Sequence, residues 1–168
     1  MQVKIIPIIL CGGSGKRLLP FLRYDSPKQF LDIFSNSKNL FQETILRFTN
    51  ENFFSNPIVI GNISHKDELQ RSINEVGVQL EAMIFEQDGR NTGPAASSVV
   101  AYLQEAGVAN DTLFLIVPID HYIGNKNVFV DRILNAAEVI NNTNQIFTFS
   151  VKKRPLKTTM DILELVVR

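Results

Sequence analysis

One cysteine, Cys11, is the whole thiol inventory, which excludes an internal disulfide framework and suits a reducing cytosol. An excess of charge of either sign is also missing. Seventeen basic residues balance seventeen acidic ones, so no broad field draws nucleic acid or an anionic membrane, and any bound anion must be held locally. With His65 the only other histidine, His121 belongs to no zinc-type ligand set, and a hydrogen-bonding role suits it better. Long apolar runs are absent as well. The stretch from Ile5 to Cys11 is too short to cross a bilayer and leads into Gly-Gly-Ser-Gly-Lys-Arg rather than a cleavage site, so a cytoplasmic protein without an export signal is expected. The Asn62-Ile-Ser64 and Asn141-Asn-Thr143 acceptor patterns are then without meaning. Neither an internal repeat nor a low-complexity tract is found.

What is present is the composition of an ordinary globular domain, 45% hydrophobic and 20% charged over 168 residues. Short apolar runs at 3–10, 57–60, 80–85, 112–117 and 145–151 alternate with helical periodicity at 38–50, 64–76, 93–106 and 126–141. That alternation predicts an α/β fold, a Rossmann-like, mostly parallel five-stranded sheet flanked by helices. Ser64, with Asp67 three residues on, and Thr92, before Gly93-Pro94, are expected to open helices. The wholly apolar 3–10 and 113–117 read as central strands covered on both faces. Residues 160–168 fit a short amphipathic helix or an exposed apolar tail equally well.

In such sheets ligands bind beyond the carboxyl ends of the strands, which directs attention to 11–17, 87–92 and 118–121. After the first strand, Gly12, Gly13 and Gly15 around Ser14 leave backbone amides free to close on a phosphate. A Walker A loop needs Ser or Thr after its lysine, but Arg17 follows Lys16; the dinucleotide fingerprint needs a small residue where Leu18 stands. Pro27-Lys28-Gln29-Phe30 adds a second cation. Taken singly, the glycines form an ordinary turn and Lys16, Arg17 and Lys28 are solvated charges; Asp120 alone is more often a turn or cap residue.

Together, the run Leu10-Cys-Gly-Gly-Ser-Gly-Lys-Arg-Leu-Leu-Pro20, with Arg23 and Pro27-Lys-Gln-Phe30, resembles the signature of sugar-nucleotide pyrophosphorylases, specifically bacterial mannose-1-phosphate guanylyltransferases. Glu86-Gln-Asp-Gly-Arg-Asn-Thr-Gly-Pro-Ala-Ala96 and Val117-Pro-Ile-Asp-His121 are similar to two further segments of that family, in the same order. The resemblance implies a nucleotide-diphospho-sugar transferase fold in which GTP and mannose-1-phosphate give GDP-mannose and pyrophosphate for polysaccharide biosynthesis. It implies that Gly12, Gly13, Ser14 and Gly15 wrap the nucleotide and that Arg17 and Lys28 meet its phosphates. Arg90, Asn91 and Thr92 would meet base or ribose, and Asp120 would hold Mg²⁺.

The sequence departs from the family at Lys16, Leu19, Gly93 and Ile119, and more deeply after Ser150, where the family's sugar-pocket segment is not found. The expectation is a truncated member, with a nucleotide-binding domain at 1–150 and a divergent tail at 151–168. Three readings stay open: an active guanylyltransferase, a non-catalytic nucleotide-binding remnant or one piece of a split enzyme that self-associates or needs a complementing chain, and a different nucleotidyltransferase. Length favours the second; the Pro-Lys-Gln-Phe and Arg-Asn-Thr segments argue against the third.

Overall fold

The computed structural model describes residues 4–11, 38–87, 92–109, 111–119, 121, 123–143, 146–151 and 163–167. The chain divides into two compact units, Met1–His121 and Tyr122–Arg168.

The first unit holds β1 (Ile6–Cys11), α1 (Leu40–Ile45), β2 (Ile58–Asn62), α2 (Lys66–Val76), β3 (Ala82–Glu86), α3 (Thr92–Glu105) and β4 (Phe114–Pro118). The four strands form one parallel sheet in the order β3-β2-β1-β4. The chain steps outward from β1 to β2 to β3, then returns to the far side of β1 for β4. That reversal makes the gap between β1 and β4 a topological switch point.

Proline inside a central strand normally breaks a ladder, yet Pro7 sits within β1. Its neighbours show why it is tolerated. Ile5 donates its N–H to the Phe53 carbonyl on the β2 side and Ile6 donates to the Leu113 carbonyl on the β4 side, so the missing donor of Pro7 falls on the β2 side. There the regular register begins only at Ile8↔Ile58.

Each face of the sheet is covered by a different crossover. Ile6 and Ile8 of β1 and Ile58 and Ile60 of β2 pack against Ala95, Val99 and Leu103 of α3, whose fourfold spacing makes one apolar stripe. On the other face α2 presents Leu69, Ser72 and Ile73. A Cβ on Gly61 would stand 2.5 Å from Leu69 Cδ1, so only glycine admits this approach of α2 to β2. Burying each of these aliphatic side chains contributes about 1.5–3 kcal/mol.

Local chemistry fixes the helix ends. Asn39 and Gln42 make a reciprocal capping box at α1, and the Gln42 side-chain amide donates to the Ser72 carbonyl and to Glu75 Oε2, tying α1 to α2. The start expected at Ser64 is shifted. Asn62 is the cap, accepting from the Ser64 N–H at 2.9 Å, and a 3-10 turn at Ile63–His65 leads into α2 at Lys66. Asn62 wins because its longer side chain leaves the end of β2 and reaches the backbone two residues on. Thr92 opens α3 as expected. Gly77, at φ 65°, closes α2 by donating to the Ile73 carbonyl.

The second unit holds α4 (Lys126–Thr143), β5 (Phe147–Val151) and β6 (Leu163–Val167). Asn125 starts α4, its side-chain oxygen accepting from the Val128 N–H. Phe129, Ile133 and Ala136 form the buried stripe of that helix. The fifth strand expected at 145–151 is present, but it pairs antiparallel with β6 in a separate two-stranded sheet, Phe147 opposite Val167. Residues 163–167 are therefore neither helix nor free tail. Leu-Glu-Leu-Val-Val is too short to hold a helix alone, whereas a ladder to β5 satisfies its backbone.

Candidate functional site

Because all four strands of the first unit run the same way, their carboxyl ends line one edge of the sheet. Leu10 is opposite Pro118, Cys11 opposite Gly61, and Asn62 opposite Glu86. Cys11, Gln87 and Ile119 are the last described residues before 12–37, 88–91 and 120, and all three stand at this edge. Cys11 and Ile119 flank the switch point itself. These are the strand ends from which the sequence argument expects binding residues to emerge.

Gly12, Gly13, Ser14, Gly15, Arg17, Lys28, Arg90, Asn91 and Asp120 lie outside the described residues. Thr92 is described, at the first position of α3. Positive potential at a helix start suits a negatively charged group.

Three described residues build the edge from below. Asn62 works in two directions: its Nδ2 donates to the Gln87 carbonyl at 3.1 Å, and its Oδ1 accepts from the Ser64 hydroxyl at 2.6 Å. It joins the end of β2 to the end of β3. Arg47, on the 3-10 turn Leu46–Phe48 after α1, is buried and donates from Nη2 to the His121 carbonyl at 3.3 Å. Its Nη1 donates to Thr44 Oγ1 at 3.4 Å. Cys11 is 1% exposed, and burial pushes its thiol far above the ordinary range, so it stays protonated and inert beneath the edge.

Sequence reasoning passed over Asn62 and Arg47. The signal for Arg47 is its place on a stripe: Leu40, Thr44 and Arg47 follow helical spacing, and the first two are buried. A charge on the apolar side of a helix asks for a partner. Asn62 offered less, since an Asn at the end of a strand is ordinary turn chemistry.

A groove of about 380 Å³ lies elsewhere, lined among others by Lys4, Ser55, Glu81 and Asp111. Each of these precedes a strand, so the groove is at the amino edge, opposite the switch point, the end of a parallel sheet away from which ligands bind. Among the described residues, no three His, Cys, Asp or Glu side chains gather to hold a metal. No helix among them is long and apolar enough to cross a membrane.

The parallel sheet, its switch point and its sequence of crossovers define an α/β fold of the nucleotide-diphospho-sugar transferase type. Residues 6–158 match the nucleotidyl transferase family, and the chain belongs to that family. It is 35% identical over 147 residues to the alginate biosynthesis protein AlgA of Pseudomonas syringae pv. tomato, covering 88% of this chain and 29% of that protein. It is 34% identical over 147 residues to mannose-1-phosphate guanylyltransferase 2 of Escherichia coli O157:H7, covering 88% and 30%. Among solved structures, one described as mannose-1-phosphate geranyltransferase from Thermus thermophilus matches with a TM-score of 0.67 at 20% identity, covering 91% of this chain and 47% of that one. One described as mannose-6-phosphate isomerase from Helicobacter pylori matches at 0.64 and 22%, covering 90% and 52%. These two establish the fold. The chain spans about 30% of the length of the curated relatives and about half that of the solved ones.

Proposed function

We propose that this chain carries the nucleotide half of a mannose-1-phosphate guanylyltransferase. In that reaction a phosphate oxygen of mannose-1-phosphate attacks the α-phosphorus of GTP, the bond to the bridging oxygen breaks, and pyrophosphate leaves with GDP-mannose formed. The observation that carries the reading is the match over residues 6–158, together with strand ends Cys11, Gln87 and Ile119 on one edge, at the points where the three motifs begin. Relatives named for alginate, xanthan and mannose-1-phosphate guanylyl transfer support the sugar nucleotide and a role in polysaccharide biosynthesis.

Transfer of this kind needs positioning and charge neutralisation, not a covalent nucleophile. Amides of Gly12, Gly13, Ser14 and Gly15 close around the triphosphate, Arg17 and Lys28 offset its charge, and Arg90, Asn91 and Thr92 meet base and ribose. Asp120 holds Mg²⁺. The donor chemistry fits, since Mg²⁺ takes hard oxygen ligands and commonly relies on one or two carboxylates, substrate phosphates and water rather than an all-protein cage. When bound, the ion draws charge from the phosphate oxygens. The protein works in the cytoplasm, where GTP is available.

Calorimetric titration of the chain with GTP, with and without Mg²⁺, tests the reading. Tight binding that depends on Mg²⁺ is expected, weakened about tenfold or more in Arg17→Ala through loss of charge-assisted hydrogen bonds. Asp120→Asn is expected to abolish the metal dependence. A folded chain that does not bind GTP overturns the proposal. Mg²⁺-dependent binding without pyrophosphate release from added mannose-1-phosphate would keep the nucleotide-half reading and place the sugar site outside these 168 residues.

A further inference from the structure

The groove at the amino edge of the sheet, about 380 Å³ in volume, is of a size common for small-molecule sites. The carboxyl-edge rule concerns the crevice at a switch point, and a groove elsewhere takes whatever its own side chains select. Lys4, Glu81 and Asp111 line this one, and among the described residues none of the three side chains makes an ion pair or a hydrogen bond.

The strand order fixes how these charges follow one another. Glu81 leads into β3, Ser55 and Asn56 into β2, Lys4 into β1 and Asp111 into β4, and the strands lie in the order β3-β2-β1-β4. With strands about 4.8 Å apart, Lys4 and Asp111 are neighbours at one end, and the Glu81 backbone stands about 10 Å from that of Lys4 towards the other. The floor is apolar. Ile6 and Leu103 are buried, and Val108 packs against them. Gly107, at φ 72°, turns the chain at the close of α3 so that the Val108 N–H donates to the Leu103 carbonyl, which sets these two side chains together. The carboxyl end of that helix carries partial negative charge and favours a cation beside it. Near Glu81, Ser55 and Asn56 fall between the Ile5↔Phe54 bridge and the ladder that begins at Ile8↔Ile58. Pro7 has no N–H to offer them, so their carbonyls are left as acceptors.

The groove therefore presents a negative and a positive charge at one end, an apolar middle, and a negative charge with backbone acceptors at the other. We propose that it binds a free basic α-amino acid of the arginine type. The α-ammonium meets Asp111, the α-carboxylate meets Lys4, the methylenes lie over Ile6, Leu103 and Val108, and the guanidinium meets Glu81 and the Ser55 and Asn56 carbonyls. Net charges are complementary, since the groove holds one carboxylate in excess and such a ligand one cation in excess. A planar guanidinium with several donors suits a carboxylate flanked by carbonyls. The C-terminal arginine of a peptide shares every group except the α-ammonium. This proposal stands apart from the nucleotide reading, and the failure of either leaves the other in place.

Amide NMR spectra of the full chain, recorded during titration with L-arginine and with three probes that each lack one group, test it. Agmatine lacks the carboxylate, N-acetyl-L-arginine the ammonium, and L-norleucine the guanidinium. L-Arginine is expected to shift the amides of Ile6, Leu103, Val108 and Thr112 saturably with a Kd on the order of 1 mM, because exposed charge pairs contribute little each. Each probe should bind about threefold more weakly. Lys4→Met is expected to weaken L-arginine about threefold and leave agmatine unchanged, Asp111→Asn to do the same while leaving N-acetyl-L-arginine, and Glu81→Gln while leaving L-norleucine. All three positions are exposed, so the variants keep the fold.

The absence of a saturable shift at the groove amides overturns the proposal. So does a variant that weakens all four ligands equally, the mark of a change in general charge rather than of a contact. N-acetyl-L-arginine binding as tightly as L-arginine overturns the free amino acid in favour of the C-terminal residue of a peptide.

Discussion

β1 and β4 lie side by side in the sheet, and both are continuous apolar runs in the sequence, yet they end up in different surroundings. From Ile5 through Ile9, β1 is buried without interruption, and Ile8 and Ile9 have no exposed surface. β4 is half-buried and begins with Phe114 at 45% exposure. The difference is one of neighbours. β1 has a strand on each side, whereas among the described strands β4 has only β1. An apolar run states that a strand is suited to burial, and the topology decides how much of that burial it receives.

The largest effect that could break this comparison is chemical. Cys11 at the end of β1 and a thiol introduced by Phe114→Cys at the start of β4 should react with iodoacetamide at rates differing about a thousandfold, since the buried thiol waits for an opening that costs several kcal/mol. Peptide mass spectrometry distinguishes the two sites in one sample, and similar rates would mean that β1 is not the protected strand. The pH dependence has a definite sign. The thiol of Cys11 is raised above its ordinary value of 9.0, so its protonated form is the folded one. Its contribution to stability is complete below that pH and is lost as the pH rises past 9.0, when the unfolded chain ionises first. A denaturation series from about pH 7 to 10 reads this directly.

Next in size is packing. Ile8→Ala removes a side chain with no exposed surface from the α3-facing cluster and should cost about 2–5 kcal/mol in a urea melt. Phe114→Ala, at a side chain nearly half in solvent, should cost less than about 1 kcal/mol despite deleting more atoms. Equal costs would show that β4 is covered as fully as β1.

The order of strands and helices was legible because period and length carry it: each of the expected strands and helices is present, shifted by a few residues at its ends. Pairing was not. The 145–151 run has the residues of a parallel strand but lies antiparallel to β6, and nothing in its own composition names its partner. For the site the sequence offers motifs rather than geometry, and apart from Thr92 its residues lie outside the described ones. Glycines, Arg17 and Asp120 stand out by their spacing after apolar runs, and the strand ends that precede these segments do meet at the switch point. The partners of Arg47 and Asn62 were not legible, because they lie 74 and 25 residues away and only the fold brings them together.

The smallest effect sharpens the comparison most, because it acts on the cover of β1 without touching either strand. Gly93 occupies the first turn of α3, where a Cβ would meet nothing within 4 Å, and its backbone is not in the left-handed region. Glycine there lends the helix no packing and costs it backbone entropy. Gly93→Ala should therefore stabilise the fold by about 0.5–1 kcal/mol. Cys11 lies beside Gly61 on the α2 face of β1, not on the face that α3 covers, so that gain should appear as alkylation of Cys11 slowed about two- to fivefold only if both covers open together. The thiol of Phe114→Cys, already in solvent, should react at an unchanged rate. Slowing at both positions would mean that the two strands open together, and that the contrast between them lies in surface exposure alone rather than in separate protection.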